Sequence, residues 1–191
     1  ILHAAGLHPV YEGPTVMLSG KRALIITTSH SVLSEPGENE GPETGVMASE
    51  FTHPYYTFLD AGMSVDMASI QGGLIPIDPQ TLSYPVSTPE DKRYLNDSIA
   101  QAKVQNSLAI VDVDVSQYDI IFISGGWGAA YDLAQTPAMA DKVTEAYYGQ
   151  RVAVIGGVCH GVLGLVNAKD RDGNTLIAGR HMTGVSDKQI K

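Results

Sequence analysis

Apolar and polar positions divide the chain into short hydrophobic segments separated by amphipathic ones. Near-continuous apolar runs of β-branched and aliphatic residues are typical of strands in a parallel sheet covered on both faces. Such runs predict strands at 22–28, 63–70, 118–124 and 151–155. Segments with helical spacing lie between them, at 46–61, 88–105 and 136–148. Strands that alternate with helices predict an α/β fold with a mainly parallel sheet.

Two of the predicted helices carry the same start signal. Thr88-Pro89 and Thr136-Pro137 each place a capping hydroxyl before a proline at the first helical position. We expect Leu95, Ile99 and Ala102 to share one apolar face of the 88–105 helix.

Two segments interrupt the alternation. Residues 29–44 are rich in Gly, Pro and Glu, which predicts a solvated loop and leaves open an acidic lip over a pocket. Residues 72–85 form a second irregular stretch. We take 71–106 as an insertion that packs over the sheet edge, within a single domain spanning 1–191.

Length, composition and charge narrow the class of protein. A chain of 191 residues with 43% hydrophobic residues is typical of one globular domain. The net charge of −9 disfavours nucleic acid and anionic membranes as partners, and no apolar run approaches the roughly 18–20 residues of a membrane span. A single cysteine excludes an intrachain disulfide and favours a reducing, cytoplasmic compartment. We expect residues 1–20 to be an N-terminal extension without a secretory signal, on a trimmed chain.

The single cysteine lies in a pattern that predicts a nucleophile. Gly157-Val-Cys159-His160-Gly161 follows a predicted strand and precedes an apolar segment, which is the cysteine form of the nucleophile elbow. Flanking glycines relieve crowding at such a strained turn. A helix starting at the turn would favour the thiolate through its dipole. The alternative is a buried cysteine without chemistry.

Neighbouring groups extend this candidate site. The backbone N–H of His160 can serve an oxyanion hole, and its imidazole can act as acid or base. A second glycine turn, Ser124-Gly125-Gly126-Trp127-Gly128, also follows a predicted strand. In a parallel sheet both turns lie at the carboxyl edge, where ligands bind, so Gly125 and Gly126 are candidate oxyanion donors.

Three motifs together resemble the ThiJ/PfpI superfamily, which is similar to class I glutamine amidotransferases. They are Ala-Val-Ile-Gly-Gly-Val-Cys-His-Gly (153–161), Ile-Phe-Ile-Ser-Gly-Gly-Trp-Gly-Ala (121–129) and a Thr-Gly-x4-Glu-x2-His-Pro element (44–54). The last motif and the long excursion after the second predicted strand, residues 71–106, resemble the glyoxalase III branch of heat-shock-type proteins. The resemblance implies a flavodoxin-like three-layer sandwich, a homodimer, and relatives that continue beyond Lys191, so that the C-terminal end is expected to be missing.

The resemblance also implies roles for particular residues. Glu50 would reach the Cys159 sulfur, and its pKa should be raised because a carboxylate and a thiolate repel each other. His53 would line the pocket or serve only the structure, and Trp127 stands where this branch usually carries histidine. Asp187 would orient His160. Glu50 and His53 could form half of a metal site, but we find no third ligand and expect neither metal nor cofactor.

Three functions follow from these residues. The first is a cofactor-independent glyoxalase III-like lyase, in which a Cys159 hemithioacetal converts methylglyoxal-type aldehydes to 2-hydroxy acids, with deglycase or chaperone activity as an extension. The second is a PfpI-like cysteine peptidase or amidase. The third is a redox-sensing stress protein in which Cys159 is oxidised.

Overall fold

Five strands form one parallel sheet in the computed structural model, which describes residues 13–14, 16–83 and 85–184. The sheet has the order β3-β2-β1-β4-β5, and all four neighbouring pairs are parallel. The strands are β1 (Arg22–Thr27), β2 (Ser64–Ser69), β3 (Leu108–Ala109), β4 (Ile120–Ile123) and β5 (Val154–Gly157). All four predicted strands are present, although β5 begins at Val154 rather than Arg151, and the two-residue β3 was not predicted.

Five α-helices and four 3₁₀ turns connect or follow these strands in the described residues. The helices are α1 (Ala48–Asp60), α2 (Pro89–Tyr94), α3 (Ser98–Gln105), α4 (Ala129–Asp132) and α5 (Pro137–Tyr148). The 3₁₀ turns are Pro79–Leu82, Ile110–Asp112, Val115–Gln117 and Cys159–Leu165. The apolar segment after Cys159 is therefore a 3₁₀ turn rather than an α-helix.

The central strand β1 packs against helices on both faces. Successive side chains of a strand point to opposite faces, so Leu24 belongs to the hydrophobic cluster that contains Met139 of α5. Ile25 belongs to the other cluster, which contains Phe51 of α1. Two helical layers with a sheet between them confirm the predicted flavodoxin-like α/β sandwich.

The predicted helix over 88–105 is wrong in one respect, because the segment forms two helices. The start is as expected: Thr88 and Asp91 form a capping box on α2. The Asp97 carboxylate accepts from the N–H groups of Ile99 and Ala100, which begins a new helix. The predicted apolar face does not form, since Leu95 and Ile99 are exposed and α3 buries Ala100 and Val104 instead.

The excursion, residues 71–106, reaches from the start of α1 to the edge of the sheet. Directly after it the chain forms β3, which extends the sheet beside β2 at Ala68 and Ser69. The first part of the excursion makes a parallel bridge between Val46 and Ile77, just before α1 begins. The excursion therefore lies over the start of α1 as well as at the sheet edge.

No helix in the described part of the chain is long and apolar enough to cross a membrane. Most of the predicted N-terminal extension at 1–20 lies outside the described residues, but Leu18 donates its N–H to the carbonyl of Ala61 over 2.7 Å.

Candidate active site

Cys159 lies on a sharp turn directly after β5. Among the described residues it is the one non-glycine with a positive φ, at 53°. Such a backbone conformation is unfavourable for a side chain and is concentrated at functional sites. The strained elbow predicted from the Gly-x-Cys-x-Gly pattern is therefore present.

The glycine after the elbow is required by the neighbouring strand. A Cβ at Gly161 would lie 2.2 Å from the carbonyl oxygen of Ile123, at the end of β4. Gly157 is less constrained, since a Cβ there would lie 3.3 Å from the same oxygen. Close packing of the turn against β4 thus explains Gly161 better than Gly157.

Glu50 reaches the elbow from the first turn of α1. Its carboxylate oxygen Oε2 accepts a hydrogen bond from the N–H of Gly125 at 2.9 Å, and its backbone carbonyl accepts from the Ser124 hydroxyl at 2.9 Å. The carboxyl group also hydrogen-bonds the Cys159 side chain. The residue that sequence alone would place on a helix surface therefore contacts the nucleophile.

The Glu50 carboxyl and the Cys159 thiol are favoured in a state in which the pair holds one proton. Burial raises the pKa of Glu50 and outweighs the hydrogen bonds from Cys159, Gly125 and Gly126, which lower it. The predicted direction is confirmed, although burial is its largest cause. Burial, and then the negative charge of Glu50, also raise the pKa of Cys159.

The pKa of Cys159 is raised overall, although the sequence predicted a turn that favours the thiolate. Hydrogen bonds from the N–H groups of His160 and Gly126 do favour the thiolate, but they are outweighed by burial and by Glu50. The segment after the cysteine is a 3₁₀ turn in place of the α-helix on which the prediction relied.

The two glycine turns bring backbone N–H groups to the sulfur. His160 contributes its N–H from the elbow, and Gly126 contributes its own from the turn after β4. Gly126 has φ +93°, and a Cβ there would lie 2.4 Å from the carbonyl oxygen of Gly45. Because glycine has no side chain, the turn can pack against the start of α1 and point its N–H groups into the site.

His160 lies between the sulfur and an aromatic ring. Its Nδ1 is 3.5 Å from the Cys159 Sγ, and its ring centroid is 5.0 Å from that of Trp127. Burial lowers the pKa of His160, so the neutral imidazole is favoured near neutral pH. A neutral imidazole can accept a proton in a reaction.

An open pocket of about 390 Å³ lies over these groups. Cys159, His160, Gly126 and Trp127 form one side of it. Five further lining residues were missed by the sequence analysis: Met47, Asp78, Gln80, Thr81 and Val86. Asp78-Pro79 has the pattern of a turn cap, which is a signal for the local turn. Nothing in that pattern indicates that the turn faces Cys159.

One predicted site residue, His53, makes its contact away from this pocket, and another lies outside the described residues. His53 Nε2 lies 2.8 Å from Glu90 Oε2 of α2, and His53 is not among the lining residues that the structure describes. Asp187 lies outside the described residues. The side chains of Glu50 and His53 therefore make separate contacts, with Gly125 and Glu90.

The acidic loop, residues 29–44, lines a groove next to the Cys159 pocket. Its residues are mostly exposed, as expected for a solvated loop. The groove, of about 900 Å³, runs between the loop and Tyr131, and Trp127 lines both the groove and the Cys159 pocket. The stacked rings of His30 and Tyr131, with centroids 4.1 Å apart, form part of its wall.

A comparison with known protein families shows which family the chain belongs to. Residues 43–189 match the DJ-1/PfpI family. The chain belongs to this family. The predicted ThiJ/PfpI membership is therefore confirmed, and the elbow, the second glycine turn and Glu50 all lie within the matched range.

Individual relatives are similar over most of the chain. Glyoxalase 3 of Candida albicans is 28% identical over 169 residues, which cover 87% of this chain and 69% of that protein. The probable glutathione-independent glyoxalase SNO4 of Saccharomyces cerevisiae is 32% identical over 177 residues, covering 87% of this chain and 69% of the relative.

Solved structures agree with this assignment. The Rapid Encystment Protein of Francisella tularensis aligns with a TM-score of 0.78 at 36% identity, over 88% of this chain and 72% of that one. Glyoxalase III from Candida albicans aligns with a TM-score of 0.74 at 27% identity, over 88% and 70% of the two chains.

Proposed function

We propose that the protein is a glutathione-independent glyoxalase, which converts methylglyoxal-type 2-oxoaldehydes to 2-hydroxy acids through Cys159. The observation that carries the proposal is the contact of the Cys159 thiol with the Glu50 carboxyl beneath an open pocket. The names of the two yeast relatives, glyoxalase 3 and probable glutathione-independent glyoxalase, support the same activity.

The first chemical step is addition of sulfur to the aldehyde carbon. Glu50 accepts the thiol proton as the sulfur bonds to C1, and the carbonyl oxygen becomes an oxyanion. The N–H groups of Gly126 and His160, which reach the sulfur, are placed to stabilise that oxyanion. Return of the proton to the oxygen gives a neutral hemithioacetal.

The second step moves hydrogen between the two substrate carbons. The neutral imidazole of His160 removes the proton from C1, which gives an enediolate with its negative charge on the C2 oxygen. The C1 hydroxyl proton moves to that oxygen, and the proton held by His160 is returned at C2. C1 is thereby oxidised to a thioester while the C2 ketone is reduced to an alcohol, so no external oxidant or reductant is needed. Water then cleaves the thioester, releasing the 2-hydroxy acid and the Cys159 thiol.

Lactate formation from methylglyoxal without glutathione tests this function. We expect turnover in the wild-type protein, no turnover in Cys159→Ala, and a loss of about 10²–10⁴-fold in Glu50→Gln, the range for removing a general acid or base. Glu145→Gln, on the exposed surface of α5, is the matched control and should keep wild-type activity. Unchanged turnover in Cys159→Ala would contradict the proposal.

A peptidase or amidase would use the same elbow and N–H groups to form an acyl-enzyme. A panel of peptide and amide substrates separates the two activities, because the proposed lyase leaves them intact. Cleavage of those substrates without lactate formation would favour the hydrolase.

We include in the proposal a homodimer, which the family resemblance implies, and a cytoplasmic location, which the single cysteine favours. Light scattering of the purified protein tests the dimer: a monomer mass at micromolar concentration would contradict it.

A further inference from the structure

The pocket over Cys159 is larger than a three-carbon aldehyde requires, and an uncommitted polar side chain lies in its wall. Resting on the proposed function, we infer that the preferred substrates are uncharged, hydroxylated 2-oxoaldehydes with more than three carbons. Size, hydrogen-bonding capacity and charge each support this substrate class.

Size is the first argument. The pocket volume of about 390 Å³ falls in the range of roughly 300–1,000 Å³ that holds drug-sized ligands. A second cavity, the groove of about 900 Å³, shares Trp127 with this pocket as a lining residue. A substrate whose aldehyde is bonded to Cys159 therefore has room in the pocket for a tail beside the indole ring.

Asp78, Gln80 and Thr81 form the hydrogen-bonding wall of the pocket. Asp78 is buried and its carboxylate is already committed, to the Thr44 hydroxyl at 3.1 Å and the Gln80 N–H at 3.0 Å. The Thr81 hydroxyl is committed to the Asp78 carbonyl and the Ala48 N–H.

The side-chain amide of Gln80 is the group left for a ligand. It is exposed and makes no hydrogen bond within the described part of the chain. An amide can both donate to and accept from a hydroxyl group. Gln80 therefore suits a hydroxylated tail better than the methyl group of methylglyoxal.

Trp127 forms the apolar counterpart of this wall. Trp127 is 41% exposed and lines the pocket next to His160, with the two ring centroids 5.0 Å apart. An indole face packs against the C–H groups of a polyhydroxylated chain, while the hydroxyls remain free to contact Gln80. Apolar walls with a few placed polar groups are typical of small-molecule sites.

The charge of the lining residues disfavours anionic substrates. The described lining residues of the pocket and groove include the acids Asp78, Glu35 and Glu38 but no lysine or arginine. Glu50 adds a further acid at the reacting sulfur. A phosphorylated or carboxylated aldehyde would therefore enter against like charges without a cation to pair with it.

Steady-state kinetics on a substrate panel test the inference. The panel contains methylglyoxal, the uncharged hydroxylated 3-deoxyglucosone, and phenylglyoxal beside 4-carboxyphenylglyoxal as a neutral and anionic pair. We expect kcat/KM for 3-deoxyglucosone to exceed that for methylglyoxal. Phenylglyoxal should exceed its carboxylated analogue about fivefold, and the gap should narrow at high salt, as for interactions between partly exposed charges.

Gln80→Leu tests the hydrogen-bonding wall. The ratio of kcat/KM for 3-deoxyglucosone to that for methylglyoxal should fall about fivefold, which corresponds to one neutral hydrogen bond. Gln105→Leu, at the exposed end of α3 and outside both cavities, is the matched control and should leave the ratio unchanged.

The outcomes separate this inference from the proposed function. Cys159-dependent turnover of methylglyoxal with a lower kcat/KM for 3-deoxyglucosone would overturn the substrate class and leave the glyoxalase intact. An unchanged ratio in Gln80→Leu, or equal kcat/KM for the charged pair, would overturn the corresponding contact. Turnover of none of the aldehydes would overturn both the inference and the function.

Discussion

The acid and the nucleophile of the candidate site lie on parts of the molecule that differ in burial. Glu50 belongs to α1, which buries Phe51, Tyr55 and Tyr56 against the central strands. Cys159 follows β5, the outermost strand on its side of the sheet, where Val154 is 53% exposed. The following 3₁₀ turn buries two glycines and none of its larger side chains.

This difference indicates that the two groups are held in place by different means. Core packing positions Glu50, because α1 cannot shift without moving large buried side chains. Backbone contacts position Cys159, because the elbow packs its glycine against the end of β4. We therefore expect core substitutions to affect stability first and glycine substitutions to affect activity first.

The largest expected effect is on stability, and it comes from truncating a buried side chain of α1. Phe51→Ala should lower the free energy of unfolding by about 3–5 kcal/mol, the usual cost of removing a buried phenylalanine. Val154→Ala, on the exposed side, should change it by about 0.5 kcal/mol or less. Urea unfolding of both variants measures the difference, and equal losses would contradict the contrast in burial.

The second effect is on activity, from placing a methyl group between the two regions. A Cβ at Gly125 would lie 2.7 Å from Glu50 Oε2 and 2.8 Å from the His160 nitrogen. Gly125→Ala should therefore separate the acid from the elbow and lower kcat/KM about 100-fold, as a displacement of about 1 Å can.

Gly156→Ala is the matched control for Gly125→Ala. Its Cβ would meet only the Phe122 ring, at 3.9 Å, and its φ is not positive. It should keep near-wild-type activity. A similar loss in both variants would mean that general loosening of the β5 side, rather than separation from Glu50, is responsible.

The smallest effect is a shift in the pH at which Cys159 reacts. The Glu50 charge raises the pKa of the Cys159 thiol, so Glu50→Gln should move the pH profile of iodoacetamide alkylation to lower pH. The single cysteine makes alkylation specific to this site. A shift to higher pH would mean that protonated Glu50 stabilises the thiolate in the wild-type protein.

Folding stability offers an independent check on Glu50. Burial raises its folded-state pKa above 4.5, so the folded state binds its proton more tightly than the unfolded state does. Stability from this group is fully present below the unfolded pKa and declines as pH rises through the folded pKa. Glu50→Gln should therefore gain stability relative to wild type as pH rises across that window.

Strand and elbow positions were predictable because their signals are local. β1 and β4 are continuous apolar runs, and a sheet covered on both faces needs such runs. The break between α2 and α3 was not predicted, because the helical pattern runs on through the Asp97 position, where capping hydrogen bonds begin a new helix. The missed β3 is only two residues long and depends on pairing with β2.

Within the candidate site, predictability follows distance along the chain. Cys159, His160 and Gly161 are consecutive, and their spacing alone indicates an elbow. Glu50 was predicted through the family resemblance, since nothing in its own segment distinguishes it from a surface helix residue.

The sequence by itself determined the α/β alternation, the position of the nucleophile and the two glycine turns, because each depends on residues close together in the chain. Only the tertiary structure decided which side chains face Cys159. Asp78 and Gln80 of the excursion line the pocket together with Cys159, whereas the side chain of His53 contacts Glu90 of α2. It also decided the Cys159 pKa, because burial and the Glu50 charge, which no local pattern encodes, outweigh the N–H groups of the turn.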